Sequence, residues 1–253
     1  MSTTVRPAAP SRAATTSLAI ATSAAVALVL AQARRVSHAR MLAAEAPAAF
    51  SHLHRAPRHR ILLVGDSTGA GVGCERAIDS IAARLARDFR QSEVRNLCFN
   101  GATVADVLRT ARALDCEEVA DVALVFAGGN DVLRHTSLRK LEHDADALLA
   151  ELKQRSRLVL WAGMANVGLA PLFVPPFSWW MTARTRRVNR VLARRVEAAG
   201  ARFVDFFHER DTDPFSADPA RFYARDQVHP SAHAYAHCYA RMRPAIARAL
   251  QAG

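Results

Sequence analysis

Beyond residue 60 the chain alternates between short apolar runs and longer stretches in which apolar positions recur at helical spacing. The runs at 61–64, 94–99, 122–127, 157–162 and 202–206 are too short for helices and are bounded by glycine or polar residues, so they predict buried strands. The stretches at 75–89, 104–114, 137–154, 182–199 and 232–250 predict the intervening helices. Strict alternation of this kind predicts an α/β domain over 61–253: a five-stranded parallel sheet with helices on both faces, in three layers. No internal repeat interrupts it.

The first 60 residues follow a different pattern. From Ala13 to Ala31 the sequence uses only Ala, Leu, Ile, Val, Ser and Thr, with Arg6 and Arg12 before it and Arg34 and Arg35 after it. Three readings are open, in this order: an uncleaved membrane anchor, an export signal cut after Ala31-Gln32-Ala33, and a surface helix of the domain. Membrane association through this segment, or export, is therefore expected. The basic residues on both flanks leave the side of the membrane undecided. Residues 34–60 mix Ala, His and Arg with Pro47 and Pro57, which predicts a short helix and a linker.

Chemistry is suggested where the strands stop. The first ends in Gly65-Asp66-Ser67, the third in Gly128-Gly129-Asn130-Asp131, and the second leads into Asn100-Gly101. The carboxyl edge of a parallel sheet is where such folds place their reacting groups. A serine hydroxyl needs a base, and the base needs a partner that orients it. Asp226-Gln227-Val228-His229-Pro230 offers both in one turn, three residues apart. Asn130 carries an amide that can donate to a developing oxyanion, and Gly101, lacking a Cβ, lets its N–H come close to the same oxygen. Each motif alone is also an ordinary turn or helix cap.

Taken together and in order, Gly65-Asp66-Ser67, Gly101, Gly128-Gly129-Asn130-Asp131 and Asp226-Gln227-Val228-His229 resemble the SGNH (GDSL-type) hydrolases, over residues 61–250. The resemblance implies a flavodoxin-like fold. It also implies Ser67 as nucleophile, His229 as general base and then acid, and Asp226 as its orienting carboxylate. The oxyanion hole would comprise the N–H groups of Ser67 and Gly101 and the Asn130 side chain. One departure concerns the pocket floor: Thr68-Gly69-Ala70-Gly71-Val72-Gly73 stands where many members place Leu directly after the serine.

On this reading the chain is a serine esterase acting on a small-molecule or lipid ester, with no cofactor and no metal. Removal of O-acetyl groups from cell-envelope glycans is the first alternative, and a membrane-tethered, non-catalytic binding module the second. Substrate choice is expected in 163–181, which carries Pro171, Phe173, Pro175, Pro176, Phe177, Trp179 and Trp180 as walls of an acyl pocket, as a lipid-facing surface, or as aromatics packed on their own domain.

The net charge of +11 alters the picture little. It comes from arginine, Lys140 and Lys153 being the lysines, and no nucleic-acid-binding signature accompanies it, so nucleic acid is not an expected partner. Cys74, Cys98, Cys116 and Cys238 lack metal-type spacing and read as free thiols. Asp205, His208, Asp211 and Asp213 read as a polar loop, His233 and His237 as surface or packing histidines, and Asp66 and Asp131 as residues that hold turns.

Overall fold

A computed structural model describes residues 12–114 and 119–251, with side chains from residue 22; Cys116 lies outside the described residues. Helix α1 (Arg12–Ala44) precedes β1 (His59–Gly65), α2 (Ser67–Ala70), α3 (Ile81–Asp88), β2 (Ser92–Asn96) and α4 (Val104–Arg112). The chain continues through β3 (Ala120–Phe126), α5 (Gly129–Leu133), α6 (Leu138–Arg155), β4 (Ser156–Ala162), α7 (Phe177–Ala198) and β5 (Arg202–Val204). Two single-turn helices, α8 (Pro214–Ala217) and α9 (Pro219–Phe222), lead to the terminal α10 (Ala232–Gln251).

All strand pairs are parallel, in the order β2-β1-β3-β4-β5. Successive strand residues point to opposite faces, and here both faces are apolar. Leu62, Val64, Ala123, Val125 and Trp161 meet α4, α6 and α7 on one side. Ile61, Leu63, Leu124, Phe126 and Leu160 meet α3 and α10 on the other. The expected three-layer α/β domain with its five-stranded parallel sheet is thus what forms, and the strand order is the flavodoxin-like one.

Local chemistry explains where elements start and stop. Thr103 and Asp106 form a capping box at α4, and Ser137 caps α6. The expected helix at 75–89 is divided because the Ser80 hydroxyl accepts from the Ala83 N–H, starting α3 after a separate 3-10 turn at Ala77–Asp79. Strand β2 stops at Asn96, whose side-chain oxygen accepts from the Cys98 N–H, and β5 stops before Asp205, which does the same for Phe207. Both end earlier than their apolar runs. Helix α7 begins at Phe177, five residues ahead of the expected start, directly after Pro175-Pro176.

Two features position the site. Because β1 is central and β5 is at an edge, the chain leaving β5 must recross three strand spacings, roughly 14 Å, to regain β1. It does so as an arch over 205–230, over the carboxyl ends of β4 and β3. The second feature is α1, a single helix of 33 residues where a short helix and a linker were expected after residue 34. Its second half packs on the domain: Ala39 is buried against the cluster formed by Leu172, Phe173, Phe215, Phe222 and Tyr223. Val26, Val29 and Leu30, ahead of the docked residues, are exposed. Among the described residues, no helix is long and apolar enough to cross a membrane.

Candidate active site

The ladder between β1 and β3 delivers Ser67. Gly65 pairs with Phe126, and the Asp66 N–H donates to the Phe126 carbonyl at 2.7 Å, so Ser67 emerges at the switch point where strand order reverses. A Cβ at Gly65 would overlap that carbonyl oxygen. Asp66 caps α2 by accepting from the Thr68 N–H at 2.9 Å. Its carboxyl is buried, and burial pushes its pKa up to about 6 against the lowering effect of the Thr68 hydrogen bond.

His229 comes from the far end of the arch. Its Nε2 lies 2.9 Å from Ser67 Oγ, and its Nδ1 lies 2.5 Å from Asp226 Oδ2. With Nδ1–H donating to the carboxylate, Nε2 is left to accept from the hydroxyl. The other carboxylate oxygen, Asp226 Oδ1, accepts from the Val228 and His229 N–H groups at 3.0 and 2.9 Å. Burial alone would raise the pKa of Asp226, but the hydrogen bonds from His229 and from these backbone groups outweigh it and hold the carboxyl below its ordinary value. The group stays ionised and the imidazole stays oriented.

What lets the two segments touch is the run Gly69 to Gly73, the part of the sequence that departs from the family pattern. Gly73 has φ +98°, and a Cβ there would overlap the Pro230 carbonyl and crowd His229. At Gly69 a Cβ would overlap Cys98 Sγ, and at Gly71 it would crowd Ser80. The glycines therefore serve close packing around the Ser67 turn. From α10, the Tyr235 hydroxyl donates to the Val72 carbonyl at 2.7 Å and fixes the same turn from below. No periodicity in the sequence signals these contacts.

Asn130 sits on α5, and its amide donates to the Ala102 carbonyl at 3.0 Å, which ties it to the loop carrying Gly101. Gly101 has φ +82°, in the left-handed region. Asp131 Oδ2 accepts from the Val104 N–H at 2.9 Å, joining α5 to the start of α4; burial raises its carboxyl above the ordinary value. Asp66 and Asp131 thus hold backbone, as expected.

A cavity of about 130 Å³ opens beneath the arch, with Thr68, Val228 and Pro230, the chain neighbours of Ser67 and His229, in its wall. The remaining wall is mostly apolar, with Asp66 and Asn166 as polar exceptions, and the segment after β4 contributes Met164, Ala165, Asn166, Val167 and Ala170. Of the alternatives for the aromatic residues of 163–181, a wall of this cavity is not what forms. Phe173 is buried in the cluster under α1, Trp179 is exposed, and Trp180 stacks on His135 at 4.0 Å. Trp179 and Trp180 lie in the first turn of α7, whose early onset turns them away. His233 and His237 pack edge-on against Phe222. Cys74, Cys98 and Cys238 are free thiols, and burial pushes Cys74 and Cys238 up to about 12.

A hydroxyl hydrogen-bonded to an imidazole that is itself held by a carboxylate is an arrangement that activates an oxygen nucleophile. Comparison with known proteins shows the family. The chain is similar to a GDSL-like esterase of Mycobacterium tuberculosis, 27% identical over 188 residues that cover 70% of this chain; the match spans 58% of that esterase's length. Its fold resembles a lipase/acylhydrolase from Enterococcus faecalis, with a TM-score of 0.58, 20% identity and coverage of 74% of this chain and 95% of the other. It also resembles Axe2, an acetyl xylan esterase from Geobacillus stearothermophilus, with a TM-score of 0.56, 19% identity and coverage of 77% and 95%. The model of the GDSL-like lipase/acylhydrolase family matches residues 63–237, a span that holds Ser67, Gly101, Asn130, Asp226 and His229, and the chain belongs to that family.

Proposed function

We propose that the protein is a serine esterase that cleaves carboxylic esters through an acyl-enzyme. The observation that carries this is the continuous relay from Ser67 Oγ through His229 to Asp226. Ser67 attacks the ester carbonyl as His229 Nε2 takes its proton. The tetrahedral oxyanion is received by the N–H groups of Ser67 and Gly101 and the Asn130 amide, and His229 returns the proton to the leaving alcohol. Water then repeats the sequence on the acyl-enzyme and releases the acid. No step draws on a cofactor.

The acyl group enters the cavity beside Thr68 and Val228. At about 130 Å³ it is well below the roughly 300 Å³ at which drug-sized pockets begin, which favours short acyl chains. The same small volume favours a second reading, removal of O-acetyl groups from glycans. For the association with a lipid surface expected from residues 13–31, the support is the exposed Val26, Val29 and Leu30 ahead of the docked part of α1.

The test is a panel of p-nitrophenyl esters from acetate to octanoate and an acetylated glycan, with the purified parent and Ser67→Ala. Ser67→Ala should lose turnover by roughly 10³-fold or more and lose labelling by a fluorophosphonate, while keeping its fold. Parent-level hydrolysis by Ser67→Ala would end the reading. A parent protein inert to every ester and unlabelled by the probe would favour a non-catalytic binding module.

A further inference from the structure

The turn that carries Asp226 and His229 is held from outside the catalytic machinery, by the amino-terminal helix. Gln227, between the two, has φ +64°, a left-handed conformation that is unfavourable for a residue with a Cβ and that its surroundings must enforce. Two backbone bonds help to do so: Gln227 N–H donates to the Ala224 carbonyl at 2.9 Å, and the Gln227 carbonyl accepts from the Leu172 N–H at 3.0 Å. The third restraint is Arg35 of α1. Its Nη2 donates to Gln227 Oε1 at 3.2 Å and to the Pro171 carbonyl at 2.6 Å, and its Nε donates to the Leu172 carbonyl at 3.0 Å.

One planar guanidinium therefore joins the turn carrying Asp226 and His229 to the 171–174 segment lying against it. A turn earlier on α1, the buried Gln32 grips that segment again: its Nε2 donates to the Leu172 carbonyl at 3.1 Å, and its Oε1 accepts from the Val174 N–H at 3.5 Å. Ala39 fixes the helix in the apolar cluster beneath, against which Val36 and Val228 also pack. Val228 immediately precedes His229.

We propose that Arg35 is a positioning residue: through Gln227 and the 171–172 carbonyls it sets the Asp226–His229 turn at the distance from Ser67 that the reaction needs. This rests on the hydrolase reading and goes beyond it by making α1 part of the working enzyme. Because the Arg35 side chain is largely exposed, removing it leaves no hole in the core, so its loss should weaken catalysis more than stability.

The experiment compares full-length Arg35→Ala, Arg35→Lys, Arg34→Ala and Ser67→Ala with the parent. Arg34 is an exposed neighbour on the same helix and serves as control. Arg35→Ala is expected to lower kcat roughly 10-fold. KM should stay within about twofold and the thermal midpoint within about 2 °C. Lysine can reach one of the acceptors but cannot fork between them, so Arg35→Lys should recover part of the loss. The NMR resonance of the His229 Nδ1 proton should move in Arg35→Ala and stay in Arg34→Ala. Parent-level kcat in Arg35→Ala overturns the proposal, as does a loss shared equally by Arg34→Ala or one that only follows a fall in thermal midpoint. Should Ser67→Ala prove as active as the parent, the hydrolase reading fails separately. The resonance then decides for Arg35 alone: moved supports it, unmoved overturns it.

Discussion

At the scale of single residues, the groups proposed to do chemistry were legible by type and spacing: Ser67 and Asn130 are polar residues just past the end of a buried strand, and Asp226 and His229 stand three apart in one turn. The residues that bring them together were not, since a glycine is informative only once its neighbour is known. Gly73 is the clearest case. Its left-handed φ and the Pro230 carbonyl in its missing Cβ direction leave no room for a side chain. Gly73→Ala is therefore expected to push the His229 turn away from Ser67, cutting turnover by roughly 10²-fold while costing about 1–3 kcal/mol in stability. Ester hydrolysis and urea denaturation of the same preparation check both numbers. Asp226→Asn, which keeps the shape but not the charge that orients His229, should lower kcat by roughly 10³–10⁴-fold with little change in fold, as steady-state kinetics and circular dichroism would show.

Asp66 carries a pH prediction. Its folded pKa, about 6, is above its unfolded value near 3.8, so the folded state binds the extra proton between those values. The sign is opposite to that of a salt-bridged carboxylate: the contribution to stability is fully present below pH 3.8 and is lost as pH rises through 6. Denaturation midpoints of the parent and Asp66→Asn should diverge over that window, with the parent losing ground as pH rises. Parallel curves would show that Asp66 does not titrate there.

At the scale of elements, hydrophobic periodicity located all five strands and the helices after each, but not where the β2, β5 and α7 segments begin or stop. The ends of β2 and β5, and the start of α3, are set by side chains bonding to backbone a few residues away: Asn96 to Cys98, Asp205 to Phe207, Ser80 to Ala83. The onset of α7 had a readable sign, since Pro175-Pro176 directly before Phe177 suits a helix start. Helix α10 shows the reverse, running through Pro244 because Met242, Ala245, Ile246 and Leu250 are buried on either side of it. The early start of α7 leaves the cavity wall to small residues of the 163–170 segment. Ala165→Leu should therefore narrow the cavity and lower kcat/KM for butyrate esters more than for acetate, by roughly 10-fold per excluded methylene pair at most. An unchanged ratio between the two substrates would place the acyl chain elsewhere.

At the scale of the whole molecule, the fold class and the strand alternation could be read directly, whereas long-range tertiary contacts could not. That holds above all for α1. Its composition spoke of membranes or export, yet Gln32, Arg35 and Ala39 bind it to the domain through contacts more than a hundred residues away in sequence. The exposed stretch is apolar, while docking uses Gln32 and Arg35 beside Val36 and Ala39, contacts that composition does not signal. If the exposed stretch rests on lipid, full-length protein should sediment with liposomes, and Val29→Lys with Leu30→Lys should reduce that recovery several-fold while leaving hydrolysis of a soluble acetate ester unchanged.

The arch from β5 back to β1 has a consequence for how such a protein can diversify. Its hollow exists because a chain of fixed span vaults over two strand ends, so its capacity is a matter of contour length before it is a matter of side-chain bulk. Lengthening or trimming the vault between Phe206 and Phe222 would resize the space while both abutments, the sheet edge and the His229 turn, stay where they are. Selectivity and reactivity then become separately adjustable, one by loop engineering and the other not at all.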